Sequence, residues 1–276
     1  MGGKGVGREA VVEAVVAGMR GHLGSKKVQE AGCMALRGIS GNADFEGLVA
    51  AKGGIEAVVA AMKEHQFSWL ATSMVQQKGC GVFGSLSFDD DANNTNTPGA
   101  EQGIEAVLAA MEKDVRNESL QAEGCGALWK FTFNRDFAKS VVASGGINAV
   151  VDAMGNHLES AGVQEKGCGA LVNLSVVARE DVVQQKGVQA VLEAMAEHVQ
   201  SKEVLEKGCE ALRRLSKKKS GTGHGTVGAV VAAMRTHSES EEVQEKGCRT
   251  LWYLFEEVDF AEGVEGAAAI EAVVAV

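Results

Sequence analysis

All six cysteines of this 276-residue chain sit in the same dipeptide, Gly32-Cys33, Gly79-Cys80, Gly124-Cys125, Gly167-Cys168, Gly208-Cys209 and Gly247-Cys248, at intervals of 47, 45, 43, 41 and 39 residues. A second block keeps step with the first. The segments AVVAGM, AVVAAM, AVLAAM, AVVDAM, AVLEAM and AVVAAM end at Met19, Met62, Met111, Met154, Met195 and Met234. Five of the six histidines follow three residues later, at His22, His65, His157, His198 and His237, with Asp114 in the third copy. Two blocks in fixed order, six times over, make the chain an array of units, and this constrains the fold more than any other feature.

Each block reads as a helix. In the fourth copy Val163, Gly167, Ala170, Leu171 and Leu174 recur at helical spacing, with Gln164, Glu165 and Lys166 expected on the opposite face. The other block starts after Gly145-Gly146 and runs to His157. The remainder often holds a shorter segment, as at 135–142 and 179–183. One such unit cannot bury its apolar stripe alone, so it must stack on its neighbours. Composition agrees: glycine is 35 of 276 residues, about 13% against a usual ~7%, with one proline, Pro98, and 13 aromatic residues. A chain so rich in small side chains packs backbone close to backbone. Two turn-former stretches, 89–100 (DDDANNTNTPGA) and 217–225 (KKKSGTGHG), are expected to be loops.

The order of glycine, apolar helix, short turn and then VQEKGCGALVNLS (Val163 to Ser175) resembles the second and third helices of the armadillo-repeat family, over nearly the whole chain from about Arg8 to Val276. Within that superfamily the cysteine-bearing helix looks most like the armadillo region of leucine-rich-repeat kinases. The expected fold class is therefore all-α: a right-handed α-solenoid, an armadillo-like superhelix of six repeats of 39–47 residues plus a truncated seventh at IEAVVAV, forming one domain over 1–276. Third helices are expected near 28–40, 75–87, 120–132, 163–175, 204–216 and 243–255. The chain opens on a second helix, and neither end reads as a polar cap, so part of a longer array is one reading.

The cysteine and histidine rows invite a metal or redox reading, which geometry opposes. Equivalent residues on stacked helices stand roughly 8–10 Å apart, whereas a disulfide needs Cα atoms about 4.4–6.8 Å apart and zinc needs ligands within about 2.3 Å. The cysteines read instead as small buried hydrophobes, beside glycines that let neighbouring helices approach. The histidines fall at helix C-termini, where a protonated ring interacts favourably with the helix dipole. His224 stands apart in its glycine-rich loop. No GxSxG, GxxxxGK[ST] or HExxH motif is present, and the calcium-loop mimic beginning at Asp89 has Asn94 where glycine is needed and Ala100 where glutamate is needed. No cofactor, metal, small-molecule substrate or catalytic constellation is expected.

Function then rests on the third-helix surface. In armadillo proteins that carry nuclear import signals, that helix presents a Trp and, four residues on, an Asn. The Trp position falls here at Met34, Gly81, Gly126, Gly169, Glu210 and Arg249, and the Asn position at Gly38, Ser85, Lys130, Asn173, Arg214 and Tyr253. Only Asn173 matches, which argues against a lysine-rich import signal as ligand. With the adjacent column Arg37, Gly84, Trp129, Val172, Arg213 and Trp252, these positions hold five basic residues and one acidic, against a whole-chain balance of 27 basic to 37 acidic and a net charge of −10. Arg37, Trp129, Lys130, Asn173, Arg213, Arg214, Arg249, Trp252 and Tyr253 are the candidate groove residues. They point to a non-enzymatic scaffold for a partner protein or peptide, acidic and extended or helical, with Arg giving direction and Trp giving buried area. The same long side chains would also serve simply to cover thin helices. The alternative is a regulatory armadillo segment of a larger multidomain enzyme such as a kinase. The acidic balance argues against nucleic acid or an anionic membrane as partner, and Lys217-Lys218-Lys219 reads as a solvated turn. Six reduced thiols suit a cytoplasmic location, with the nucleus open.

Overall fold

The computed structural model of the chain describes residues 3–42, 45, 47–66, 74–88, 97–216 and 223–257. Most of the two expected loops (89–96 and 217–222), the Lys217–Lys219 cluster, the calcium-loop mimic from Asp89 and the expected seventh copy lie outside the described residues, as does the His224 side chain. The expected loop ends are helical instead: Ala100 is the first residue of one helix and Gly223 of another. The chain divides into two compact units, Met1–Ala149 and Val150–Val276.

All regular structure among the described residues is helical. The first unit holds α1 (Gly3–Gly21), α2 (Lys26–Ser40), α3 (Leu48–Ala51), α4 (Gly54–Glu64), α5 (Met74–Phe83), α6 (Ala100–Lys113), α7 (Glu118–Phe131) and α8 (Arg135–Ala143). α9 (Gly146–Asn156) runs across the division, and α10 (Ala161–Gln184), α11 (Gly187–Glu197), α12 (Lys202–Leu215), α13 (Gly223–Thr236) and α14 (Glu241–Glu257) follow. The cysteine-bearing third helices pack side by side in chain order, α2 on α5 on α7 in the first unit and α10 on α12 on α14 in the second. The second helices form a parallel layer, α1 beside α4 beside α6 and α11 beside α13. The short segment expected at 135–142 is α8, whereas that at 179–183 continues α10 beyond a kink at Ala178 (φ −146°, ψ 51°).

The repeated glycine has a definite contact. A Cβ built on Gly32, Gly79, Gly124, Gly167, Gly208 or Gly247 would stand 2.4–2.6 Å from Cγ or Sδ of Met19, Met62, Met111, Met154, Met195 or Met234 respectively. The close approach thus joins the second and third helices of one repeat. Each methionine lies across the bare backbone that its own glycine leaves open.

Gln164, expected on the solvent face, is fully buried, because its amide closes a helix end. The last four carbonyls of a helix lack partners within it, and buried ones need a donor. Gln164 Nε2 donates to the carbonyls of Met154 (2.9 Å) and His157 (2.9 Å). Gln29, Gln121 and Gln244 repeat the arrangement on the ends of α1, α6 and α13, and Gln76 donates to Met62 O. The fifth copy has the buried Leu205 in this position.

The histidines follow the last residues of their helices and also bridge repeats. His65 Nε2 donates to Leu23 O (2.9 Å), His198 to Leu158 O (2.7 Å) and His237 to Val199 O (3.0 Å), in each case the residue after the preceding repeat's histidine. A carbonyl can only accept, so the ring proton is on Nε2. Asp114 cannot donate, and in its repeat Lys113 Nζ donates to Gln66 O instead.

Five cysteines are buried as expected, but Cys248 is exposed. Cys33, Cys80, Cys168 and Cys209 lie on helices covered by the next third helix, as when Thr250 Oγ1 donates to Cys209 O (3.0 Å); among the described residues no helix follows α14. Burial raises the thiols of Cys33 and Cys209 to about 12 and pushes Cys80 up as well. At pH 8 a maleimide should therefore modify Cys248 alone in the folded protein and reach the other thiols only on unfolding. Intact-mass analysis should show one rapid adduct, absent from Cys248→Ser; two or more rapid adducts would contradict this burial pattern.

Candidate functional site

Each third helix turns its repeated glycine toward its own second helix, which leaves most of the residues one, four and five places after the cysteine on a more open face. Met34 is 57% and Trp252 63% exposed there, while Trp129, Lys130, Asn173, Arg213, Arg214 and Tyr253 are half-buried. The nine candidates fall in two groups, one in each unit.

In the first unit Arg37, on α2, reaches across α5 to Glu123 on α7, with Nη1 to Oε1 at 2.7 Å. Its path runs over Gly81: a Cβ there would lie 2.6 Å from Nη1 and 3.1 Å from Cζ. Trp129 on α7 and Phe133, just past the end of that helix, have ring centroids 6.1 Å apart, and Lys130 Nζ lies 5.6 Å from the Phe133 ring centre.

In the second unit Glu210, itself at the Trp position, accepts from both neighbouring arginines: from Arg213 Nη2 (2.6 Å) and Nε (3.2 Å), and from Arg214 Nε (2.8 Å). Burial pushes the Glu210 carboxyl upward, but the hydrogen bonds from Arg213 and then Arg214 outweigh it and hold the group below the usual carboxylate range. Arg179 caps the same helix, donating to the carbonyls of Arg214 (3.1 Å) and Leu215 (2.8 Å). On α14, Arg249 pairs with Glu245 at 3.1 Å, both ends exposed. Asn173 Nδ2 is buried and finds no acceptor among the described atoms.

Sequence columns did not reveal that every arginine among the candidates already has a carboxylate partner. Two of those partners, Glu123 and Glu245, lie outside the counted positions, so the local basic excess is smaller than the columns imply. The Glu245–Arg249 spacing of four residues is a readable helical signal. The Arg37–Glu123 pair is separated by 86 residues and has no linear signal. Phe133, 44% exposed beside Trp129, was also missed.

Among the described residues no group of three or more His, Cys, Asp or Glu side chains is placed to hold a metal ion. A shallow depression of about 390 Å³ at the α13–α14 turn is lined by Lys202, His237 and Glu242, but Lys202 is paired with Glu242 at 2.8 Å and His237 with the Val199 carbonyl. No described helix is long and apolar enough to cross a membrane.

No protein-family model and no curated protein matches the sequence. Solved structures do match. A designed armadillo repeat protein in complex with the peptide (KR)4 superposes with a TM-score of 0.63 at 13% identity, covering 88% of this chain and 99% of that one. A chain from a structure of the phosphorylation switch that controls the interaction between cadherin and beta-catenin gives 0.69 at 18% identity, covering 94% of this chain and 50% of that one. An engineered protein gives 0.54 at 18% identity. The fold is thus an all-α solenoid of armadillo type. These likenesses do not bear on the leucine-rich-repeat kinases.

Proposed function

We propose that the chain is a non-enzymatic scaffold that binds a partner protein or peptide on its third-helix faces, and that an acidic peptide is the partner its side chains favour. The observation that carries this reading is Trp252, 63% exposed in a chain with three tryptophans, on the same helix as Arg249 and Tyr253 and on the neighbour of the helix carrying Arg213 and Arg214. A large aromatic left in water beside guanidinium groups fits a hot spot, where a few aromatic and arginine anchors supply most of the affinity. Support comes from the structural neighbours, one of them bound to a peptide and one taken from a cadherin–beta-catenin interaction. The peptide in the first is basic, so the acidic preference rests on this chain's own arginines.

The test is a binding assay with acidic, neutral and basic peptides of equal length. Trp252→Ala and Arg214→Ala should each weaken capture of acidic peptides by about tenfold, the scale of an interface anchor. Unfolding stability should move by no more than about 0.5 kcal/mol for the exposed Trp252 and by no more than about 1 kcal/mol for the half-buried Arg214, whose partner Glu210 keeps its bonds from Arg213. A preference for the basic peptides would overturn the acidic reading, and lost helicity would make the two residues structural. The third helix's likeness to leucine-rich-repeat kinases supports a narrower version, a regulatory segment of a larger enzyme. A full-length transcript running on into a catalytic segment would bear it out.

A further inference from the structure

We infer that Glu123 is an internal latch on the third-helix face of the first unit, occupying Arg37 in the way a ligand carboxylate would. The inference rests on the acidic-partner reading above and adds a residue that sets its threshold. Arg37 and Glu123 lie on helices separated by α5, so their 2.7 Å contact is not the ordinary pairing of near neighbours on one helix. It spans three consecutive repeats.

Two further features mark it as a built arrangement. The crossing needs a residue without a side chain at 81, since a Cβ on Gly81 would stand 2.6 Å from Arg37 Nη1 and 3.1 Å from Cζ. The two ends are also unequally exposed, 43% for the Arg37 side chain and 16% for Glu123. The guanidinium can therefore be reached from solvent, while the carboxylate that neutralises it is shielded.

A ligand carboxylate approaching Arg37 meets a cation already paired. It must displace Glu123 or share the guanidinium with it, and in either case the attraction is reduced. One carboxylate gains little by the exchange. A run of carboxylates, which can bind Arg37 while its neighbours engage other cations, gains more, and so the latch favours peptides with several adjacent acidic residues over singly charged ones.

The probe is a capped hexaglutamate peptide, titrated against the full chain by fluorescence anisotropy, with thermal unfolding as the check on folding. Glu123→Gln should tighten binding about fivefold, the upper range for a partly exposed ion pair. Gly81→Ala provides a second route at constant charge, because the clash falls on the flexible end of Arg37 and lifts it from Glu123; it should also tighten binding. The gain should vanish in the double variant Arg37→Ala/Glu123→Gln. If the wild-type chain binds and Glu123→Gln leaves affinity unchanged or weaker, the latch is overturned and the acidic-partner reading stands. A gain that persists without Arg37 would be a net-charge effect and would also overturn the latch. If neither the wild type nor Glu123→Gln binds hexaglutamate at millimolar peptide, both readings fall.

Discussion

Gly124→Val is expected to destabilise the first unit by about 3 kcal/mol, a drop in melting temperature of roughly 6–12 °C. Helix propensity alone predicts a small gain, since glycine in a helix interior costs about 1 kcal/mol relative to alanine. The contact decides otherwise. A Cβ on Gly124 would lie 2.6 Å from both Cγ and Sδ of Met111, and Met111 is itself 2% exposed. Cγ is near the root of that side chain, so the methionine cannot yield by swinging its end; α6 and α7 must part. Gly124→Ala should cost less, about 1 kcal/mol, because only one methyl is forced in and propensity offsets part of it. Met111→Ala alone should cost about 2–5 kcal/mol through the void it leaves. In the double variant the valine enters that void, so the combined loss should fall short of the sum by at least about 1 kcal/mol. Chemical denaturation of the four proteins measures the coupling, and strict additivity would show that the glycine is there for some other reason.

This contact also shows which parts of the fold were readable from sequence. Two blocks in fixed order, each at helical spacing, are enough to dictate stacked helices, because no unit can bury its own stripe. The reason for the glycine was only half visible: periodicity places it on the inner face but does not say which helix comes close. The burial of Gln164 is not legible in the sequence, where a polar side chain opposite an apolar stripe predicts exposure. Its amide is buried to serve carbonyls at the end of the preceding helix, and hydrophobic patterning carries no information about such donors. The histidines were correctly placed at helix ends, yet their bonds to Leu23, Leu158 and Val199 depend on how consecutive repeats are offset. For the candidate site, columns counted from the cysteine located the arginines but not their partners. Glu210 lay within a column. Glu123 did not, since a pair joining α2 to α7 exists only once α5 has been laid between them.

Phe131→Ala should remove about 3–5 kcal/mol, the largest loss expected of any single substitution argued for this chain. Phe131 is fully buried, with ring centroids 4.4 Å from Phe88, 5.5 Å from Phe83 and 6.4 Å from Phe137, the last edge-on. A chain with nine phenylalanines in 276 residues thus gathers four of them at one point of its first unit. Elsewhere the core is aliphatic, and at this point the rings pack on one another, so the loss of this ring leaves a void that its rigid aromatic neighbours cannot close. Phe131→Leu should cost far less, roughly 1 kcal/mol, by keeping most of the volume. Hydrogen exchange would localise the damage to α5, α7 and α8, whose side chains meet the ring. The flanking aromatics, Trp129 on α7 and Phe133 just past its end, should behave differently. A step of two residues turns a helix by about 200°, so Trp129 takes the face opposite Phe131, and the turn that ends α7 sets Phe133 beside Trp129. The open face holds Trp129 half-buried and Phe133 44% exposed, and Trp129→Ala should cost no more than about 1 kcal/mol. Three aromatics within five residues are thus split by helical geometry between core and surface, and equal losses at positions 129 and 131 would contradict that division.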